Sequence, residues 1–237
     1  MFQNKRVVII GGSSGIGLAA AKLILEQGAE VIIASRSSDK LENAKMELGK
    51  KTKSYVLDIA EEEQVKKFFA HVGSIDHLVV TAAETSGGPF LSSDTEMDKK
   101  MFDNKFWGQY YAAKYGAKTI SPEGSITLFS GIVAYKSMVG SATLGAINAA
   151  VAALGKTLAL ELAPLRVNVI SPGIIDTPSR RKMSEVARNQ FYMGIANKLP
   201  VKRVGVADDV AKGILYLISN SFVSGTVLHV DGGHILI

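Results

Sequence analysis

Residues 6–17 read Arg6-Val-Val-Ile-Ile-Gly-Gly-Ser-Ser-Gly-Ile-Gly17. Four consecutive β-branched residues predict a strand buried on both faces, and the glycines after them predict a tight turn into a helix. Gly11 permits the turn, Gly15 lets backbone approach a pyrophosphate, and Gly17 allows the helix to lie close to the strand. Ser13, Ser14 and Ile16 stand between them. The first N–H groups of such a helix suit a phosphate. A glycine-rich turn can also be purely structural, but at the first strand-to-helix crossover it points to nucleotide binding.

Downstream, short β-branched runs alternate with helical patterns almost to the C-terminus. Strands are predicted at 7–10, 30–34, 53–57, 77–81, 125–129, 166–170 and 227–230, and helices near 15–27, 39–49, 61–71, 96–116, 141–163 and 206–219. Apolar strands separated by helices predict an α/β, Rossmann-type doubly wound parallel sheet covered by helices on both faces. Its ligand crevice is expected at the C-terminal ends of the strands. Residues 1–237 read as a single domain. One long region without a strand signal, 176–206, carries Ser179-Arg-Arg-Lys182 and Phe191-Tyr192-Met193. An insertion of that length at a crevice mouth predicts a lid or substrate wall.

With 47% hydrophobic and 21% charged residues, the composition is that of a globular chain. A net charge of +5 fits an anionic small ligand and equally fits solubility. No Lys/Arg run interleaves with aromatics, so nucleic acid is not expected as a partner. Without cysteine there are no disulfides, thiolate nucleophiles or Cys-ligated metals, and His71, His77, His229 and His234 have no metal-type spacing. Residues 1–5 lead straight into strand residues, with no secretory signal, and the longest apolar run, 149–154, is too short for a bilayer. The expectation is a cytoplasmic protein with no membrane partner.

The spacing Gly-x-x-x-Gly-x-Gly resembles that of the short-chain dehydrogenase/reductase family, and the resemblance extends over nearly the whole chain. Asp58-Ile59 resembles the family's adenine-contacting pair. Arg166-Val-Asn-Val-Ile-Ser-Pro172-Gly173-Ile-Ile175-Asp-Thr177-Pro178 resembles its strand-six signature, and Ser224-Gly-Thr226 with Val230-Asp-Gly-Gly233 its C-terminal one. The resemblance implies that Pro172, Gly173 and Ile175 lie against a nicotinamide, Thr177 near the pyrophosphate, and Ala82 beside the cofactor after strand four. At the end of strand two, a carboxylate would bond a free ribose 2′-hydroxyl and repel a 2′-phosphate. Ser35 and Arg36 stand there instead, a hydroxyl and a phosphate-compatible fork, so NADP(H) is the expected cofactor. Arg36 could alternatively be a solvated loop cation.

The other half of the resemblance fails. The family's catalytic Tyr and Lys share one helix face at i and i+4. Alignment puts Leu144 and Asn148 there, and Gly131, preceded by Ser130, at the family's serine. The family's Asn-Asn-Ala-Gly reads Val80-Thr81-Ala82-Ala83, and its helix-four Asn falls on Lys105, with Asn104 adjacent. Loss of general acid–base catalysis alone costs about 10²–10⁴ in rate. Lys105, Ser130 and Tyr135 are the candidate catalytic replacements; Lys105 could equally be a surface residue and Tyr135 a loop aromatic. Helix 141–163 is rich in Gly and Ala, and the resemblance implies a homodimer or homotetramer through it and helix 96–116. Two functions remain open. One is an NADP(H)-dependent oxidoreductase with a non-standard site, acting on a small, activated or conjugated acceptor. The other is an inactive NADP(H)-binding sensor or partner subunit.

Overall fold

The computed structural model describes residues 2–82 and 87–237. In chain order the first half comprises β1 (Arg6–Ile10), α1 (Gly15–Glu26), β2 (Glu30–Ser35), α2 (Ser38–Leu48), β3 (Thr52–Val56), α3 (Glu62–Val72) and β4 (Ile75–Val80). Next come α4 (Thr95–Phe102), α5 (Gly108–Gly116), β5 (Ile120–Phe129), α6 (Ala142–Glu161) and β6 (Arg166–Pro172). The chain closes with β7 (Ile175–Asp176), α7 (Glu185–Ala196), β8 (Gly205–Val206), α8 (Ala207–Ser219) and β9 (Val227–Val230).

Seven strands form one sheet in the order β3-β2-β1-β4-β5-β6-β9, and every pair is parallel. β1 lies in the interior of the sheet, and its last four residues, Val7, Val8, Ile9 and Ile10, are all at most 1% exposed. Alternation splits these residues between two cores. Val8 and Ile10 join Leu78, Val80, Phe69 and Ala112 on the face covered by α3 and α5. Val7 and Ile9 join Ile24, Ile33, Ile214 and Leu217 under α1 and α8. The strand order reverses between β1 and β4, so a crevice opens beyond Ile10 and Val80, where an open α/β sheet takes its ligand.

Three sequence expectations need correction. Strands β4 and β5 begin at Ile75 and Ile120, ahead of the expected 77 and 125. The expected helix 96–116 is interrupted by a π-helical turn, Asp103–Trp107, between α4 and α5. Residues 176–206 are also not strandless: β7 and β8 pair in parallel, Ile175 with Gly205 and Asp176 with Val206, closing the base of a segment that contains α7. No residue of α7 is buried. Asp209 locks that base, accepting from Arg203 at 2.6 and 2.9 Å and from the Val206 N–H at 2.9 Å.

Helix α6 corrects a fourth reading. An 18-residue stretch of its 20 residues has a mean hydropathy of 1.4, so it is long and apolar enough to cross a membrane by length and composition alone. The uninterrupted run at 149–154 understated it. Here one side of α6 covers the sheet through Ile147, Val151, Ala152 and Gly155, and a Cβ at Gly155 would collide with Val169 of β6.

Arg166 opens β6 and is only 8% exposed. Its guanidinium donates to the carbonyls of Leu217 (2.8 Å), Ile218 (2.8 Å) and Val223 (3.0 Å), holding the end of α8 to the sheet. Charged donors onto orphan helix-end carbonyls are worth about 1.5–3 kcal/mol each, and their loss leaves acceptors buried. Arg166→Met should therefore lower stability by about 2–4 kcal/mol in urea titrations; a loss below about 0.5 kcal/mol would refute the clamp.

Candidate functional site

The first wall of the crevice is backbone. Gly11 has φ 91° and Gly15 φ 54°, conformations that L side chains resist. A Cβ at Gly11 would lie 2.5 Å from the Ala82 nitrogen and 2.7 Å from Thr81 Oγ1. One at Gly17 would strike the Gly11 carbonyl and stand 2.6 Å from Thr81 Oγ1. Thr81 is itself fixed, donating to the Ile10 carbonyl at 3.2 Å. Ser14 is the N-cap of α1 but its hydroxyl makes no capping bond, so the first N–H groups of α1 have no side-chain acceptor from it. Ser13 and Ile16 are partly exposed beside it. Across the crevice Thr177 and Pro178 come within 3.7 Å of a Cβ placed on Gly15. Backbone donors on one side and the strand-six segment on the other give this wall the chemistry that suits a pyrophosphate.

The residues for a dinucleotide's far end are also assembled. Ser35 Oγ, at the end of β2, is buried and has no partner, and the exposed Arg36 follows it. A buried hydroxyl without a hydrogen bond is costly, and a ribose oxygen or 2′-phosphate would satisfy it. Asp58 Oδ1 accepts from the Ala60 N–H at 3.0 Å, fixing the bend after β3. Ile59 is 4% exposed and packs on α5, where a Cβ at Gly108 would come within 2.8 Å of it. Pro172 is buried, the Gly173 N–H donates to Val230 O at 3.0 Å, and a Cβ on Gly173 would reach Asp231 Cα at 2.8 Å. Ile175 is held by β7. Thr177 Oγ1 and Ser179 Oγ are 2.8 Å apart. Of the family's Asn-Asn-Ala-Gly positions, Ala83 lies outside the described residues.

At the reacting end, the π-helical turn aims Lys105 inward. The side chain is 3% exposed and Nζ donates to the Ser130 carbonyl at 3.2 Å, so Lys105 is no surface residue. Asn104 instead turns back along the helix and donates to Lys100 O at 2.9 Å, which settles the register between the two. Ser130 Oγ donates to the backbone carbonyl of Asn148 at 2.8 Å. Asn148 is 1% exposed, and its Oδ1 is buried without a partner. Its amide fills the space of the missing serine: a Cβ on Gly131 would lie 2.8 Å from Asn148 Nδ2. Lys105, Ser130 and Asn148 thus form one buried polar group. Tyr135 stands apart, 39% exposed, its ring edge-on to His229 at 4.6 Å between centroids. Burial raises the Tyr135 pKa.

The group includes one residue the sequence did not single out. Gln109 is fully buried. It donates to Lys105 O (2.7 Å) and Phe129 O (3.0 Å) and accepts from Phe129 N (2.7 Å), tying the π turn to the end of β5. An amide one helical turn after a candidate lysine, in an otherwise aromatic segment, was the available signal. Burial alone drives the Lys105 pKa down to about 7. An amine there can hold or release a proton near neutrality.

Comparison with known proteins identifies the family. The family model described as enoyl-(acyl carrier protein) reductase matches residues 11–234. The 3-oxoacyl-[acyl-carrier-protein] reductase FabG of Chlamydia muridarum is 32% identical over 247 residues, 98% of each chain. A small-chain dehydrogenase solved in complex with NADPH superposes with a TM-score of 0.88 at 39% identity, over 99% of this chain and 100% of that one. The structure of ElxO with NADP bound gives 0.91 at 30% identity, over 99% and 100%. The chain belongs to the short-chain dehydrogenase/reductase family of oxidoreductases.

The buried Lys105 sets a pH dependence of stability. In the unfolded chain its amine has the ordinary pKa of 10.5; in the native protein it is near 7. Below pH 7 it is charged in both states and the full burial penalty applies. Between pH 7 and 10.5 the unfolded state binds more protons, so the penalty fades as pH rises. Lys105→Met should be more stable than the parent by roughly 2–4 kcal/mol at pH 6.5, and the gap should narrow steadily towards pH 9.5. Urea titrations across that range test it; a pH-independent gap would contradict the burial of a charged amine.

Proposed function

We propose that this chain is an NADP(H)-dependent oxidoreductase whose proton-handling group is Lys105. The observation that carries the reading is the transposed pair: where the family's pattern has Asn on helix four and Lys on the next helix, this chain has Lys105 and Asn148, facing one buried space. A basic amine is thus retained, delivered from the opposite wall. The cofactor, when bound, supplies or takes a hydride at its nicotinamide ring. The chain's residues do the rest. Gly11, Gly15 and Gly17 bring backbone donors to the pyrophosphate, Ser35 and Arg36 meet the 2′-phosphate, and Pro172, Gly173 and Ile175 back the nicotinamide. Lys105 Nζ directs N–H bonds at the ribose or at an acceptor oxygen, and with a pKa near 7 it can give a proton there. Segment 176–206 closes over the crevice as a lid, a reading supported by helix α7, which has no fully buried residue.

Gly131 and Leu144 supply no proton, so the acid assistance available to a small, activated or conjugated acceptor comes from Lys105 alone. Leu144 also favours a second reading, a protein that binds NADP(H) without turnover. We further propose a homo-oligomer. The π turn and α5 carry Trp107 and Tyr110 outward, and α6 carries exposed Ala142, Ala146, Ala149 and Ala153, aromatic residues on one element and a small-residue stripe on the other.

Two measurements test the reading. Arg36→Ala should weaken NADP binding by about 1.5–3 kcal/mol in calorimetry while leaving NAD nearly unchanged. Equal losses would remove Arg36 from the 2′-phosphate. Lys105→Met should lower NADP affinity or turnover at least tenfold, about 1.4 kcal/mol, despite its higher stability. If neither changes, the binding-module reading prevails.

A further inference from the structure

The excess positive charge of the chain is concentrated in one place. Residues 176–206 hold seven of the 27 Lys and Arg residues and two of the 22 Asp and Glu residues, leaving twenty of each elsewhere. The net charge of +5 is therefore the charge of this segment, and the remainder of the chain is neutral. Part of it is neutralised or tied down locally. Arg203 forks onto Asp209, and Lys202 Nζ donates to the Asn197 carbonyl at 3.0 Å.

Arg180 and Arg188 are placed differently. The Arg180 guanidinium lies over the Phe191 ring, 5.0 Å from its centroid, which holds the fork without consuming its donors. The charges of both arginines act on the Tyr192 phenol, whose hydroxyl donates to Asp176 Oδ1 at 3.0 Å. Arg180, packed on Phe191, and Arg188, one helical turn before Tyr192 on α7, thus stand on the same segment as that hydroxyl and carboxylate. Asp176 adjoins Thr177, which faces the Gly15 turn across the crevice. The carboxylate opposes an incoming anion but is outnumbered, and its bond fixes the Tyr192 hydroxyl. Planar forks beside a hydroxyl are suited to a carboxylate or phosphate, and a neutral body with a basic mouth steers anions to that mouth.

We propose that Arg180, Arg188 and Tyr192 recognise an anionic group, carboxylate or phosphate, on the substrate, so that the acceptor handled here is an organic anion. The proposal rests on the hydride-transfer reading above and specifies its substrate class. When the lid closes, the anion is held at its mouth while the reacting end points towards Lys105.

The test uses the whole protein saturated with NADP, with succinate and inorganic phosphate as probes and dimethyl succinate as the neutral control, all read by calorimetry. At least one anionic probe should bind ten times or more tightly than the control. The double variant Arg180→Gln/Arg188→Gln should weaken that binding at least tenfold and change NADP affinity by less than twofold. Arg180→Lys/Arg188→Lys, which keeps the charge and loses the fork, should fall between the two. No preference for anions, or an unaltered affinity in the glutamine variant, would overturn the proposal. So would a parallel loss of NADP affinity, which would assign both arginines to the cofactor. NADP binding without anion preference removes this proposal and leaves the oxidoreductase reading intact; a parent protein that binds no NADP removes that reading itself.

Discussion

Backbone approaches backbone too closely at one point for any side chain to intervene, and the rest of the molecule is arranged around that point. The Gly17 Cα faces the Gly11 carbonyl with no room for a methyl group, and Thr81 closes the third side. β1, α1 and β4 are thereby locked at the reversal of strand order. Because α1 cannot retreat, its N-terminus stays beside the crevice, and the strand-six segment with Thr177 and Pro178 can face it at a fixed distance. Both hydrophobic cores, each a continuation of β1's alternate residues, then support the same rigid edge.

Lys105 illustrates a local cost set against that rigidity. An ammonium 3% exposed, with a backbone carbonyl as its hydrogen-bond acceptor and burial as the cause of its lowered pKa, destabilises the fold. Gln109 keeps it from relaxing, because three hydrogen bonds hold the π turn that carries it against β5. π-helical turns of this kind occur frequently at functional positions. A strained, unfavourably placed cation in a well-fixed frame is the usual signature of a site kept for something other than stability.

The sheet was legible in the sequence because a parallel strand buried on both faces must be an apolar, β-branched run; β1 and β2 announce themselves this way. The glycine turn after β1 was legible for a related reason. Its work is done by backbone, and glycine is the trace backbone work leaves in a sequence. Helix α7 was not legible, since it buries no residue and so carries no apolar period. The π turn was hidden too, because its cause is a tertiary bond from Gln109 to a strand edge far away in sequence. The direction of Lys105 followed from that turn, and no spacing rule could have distinguished inward from outward there. The family resemblance singled out positions 131, 144 and 148 but was silent on how the space around them is filled.

The filling constrains substitution. Asn148 Nδ2 lies 2.8 Å from where a side chain at 131 would begin, so a serine there requires the amide to move. A lysine at 148, in turn, would bring a second ammonium into a buried space already holding Lys105. Positions 105, 131 and 148 are therefore coupled: a change at one alters the room or the charge that the other two meet.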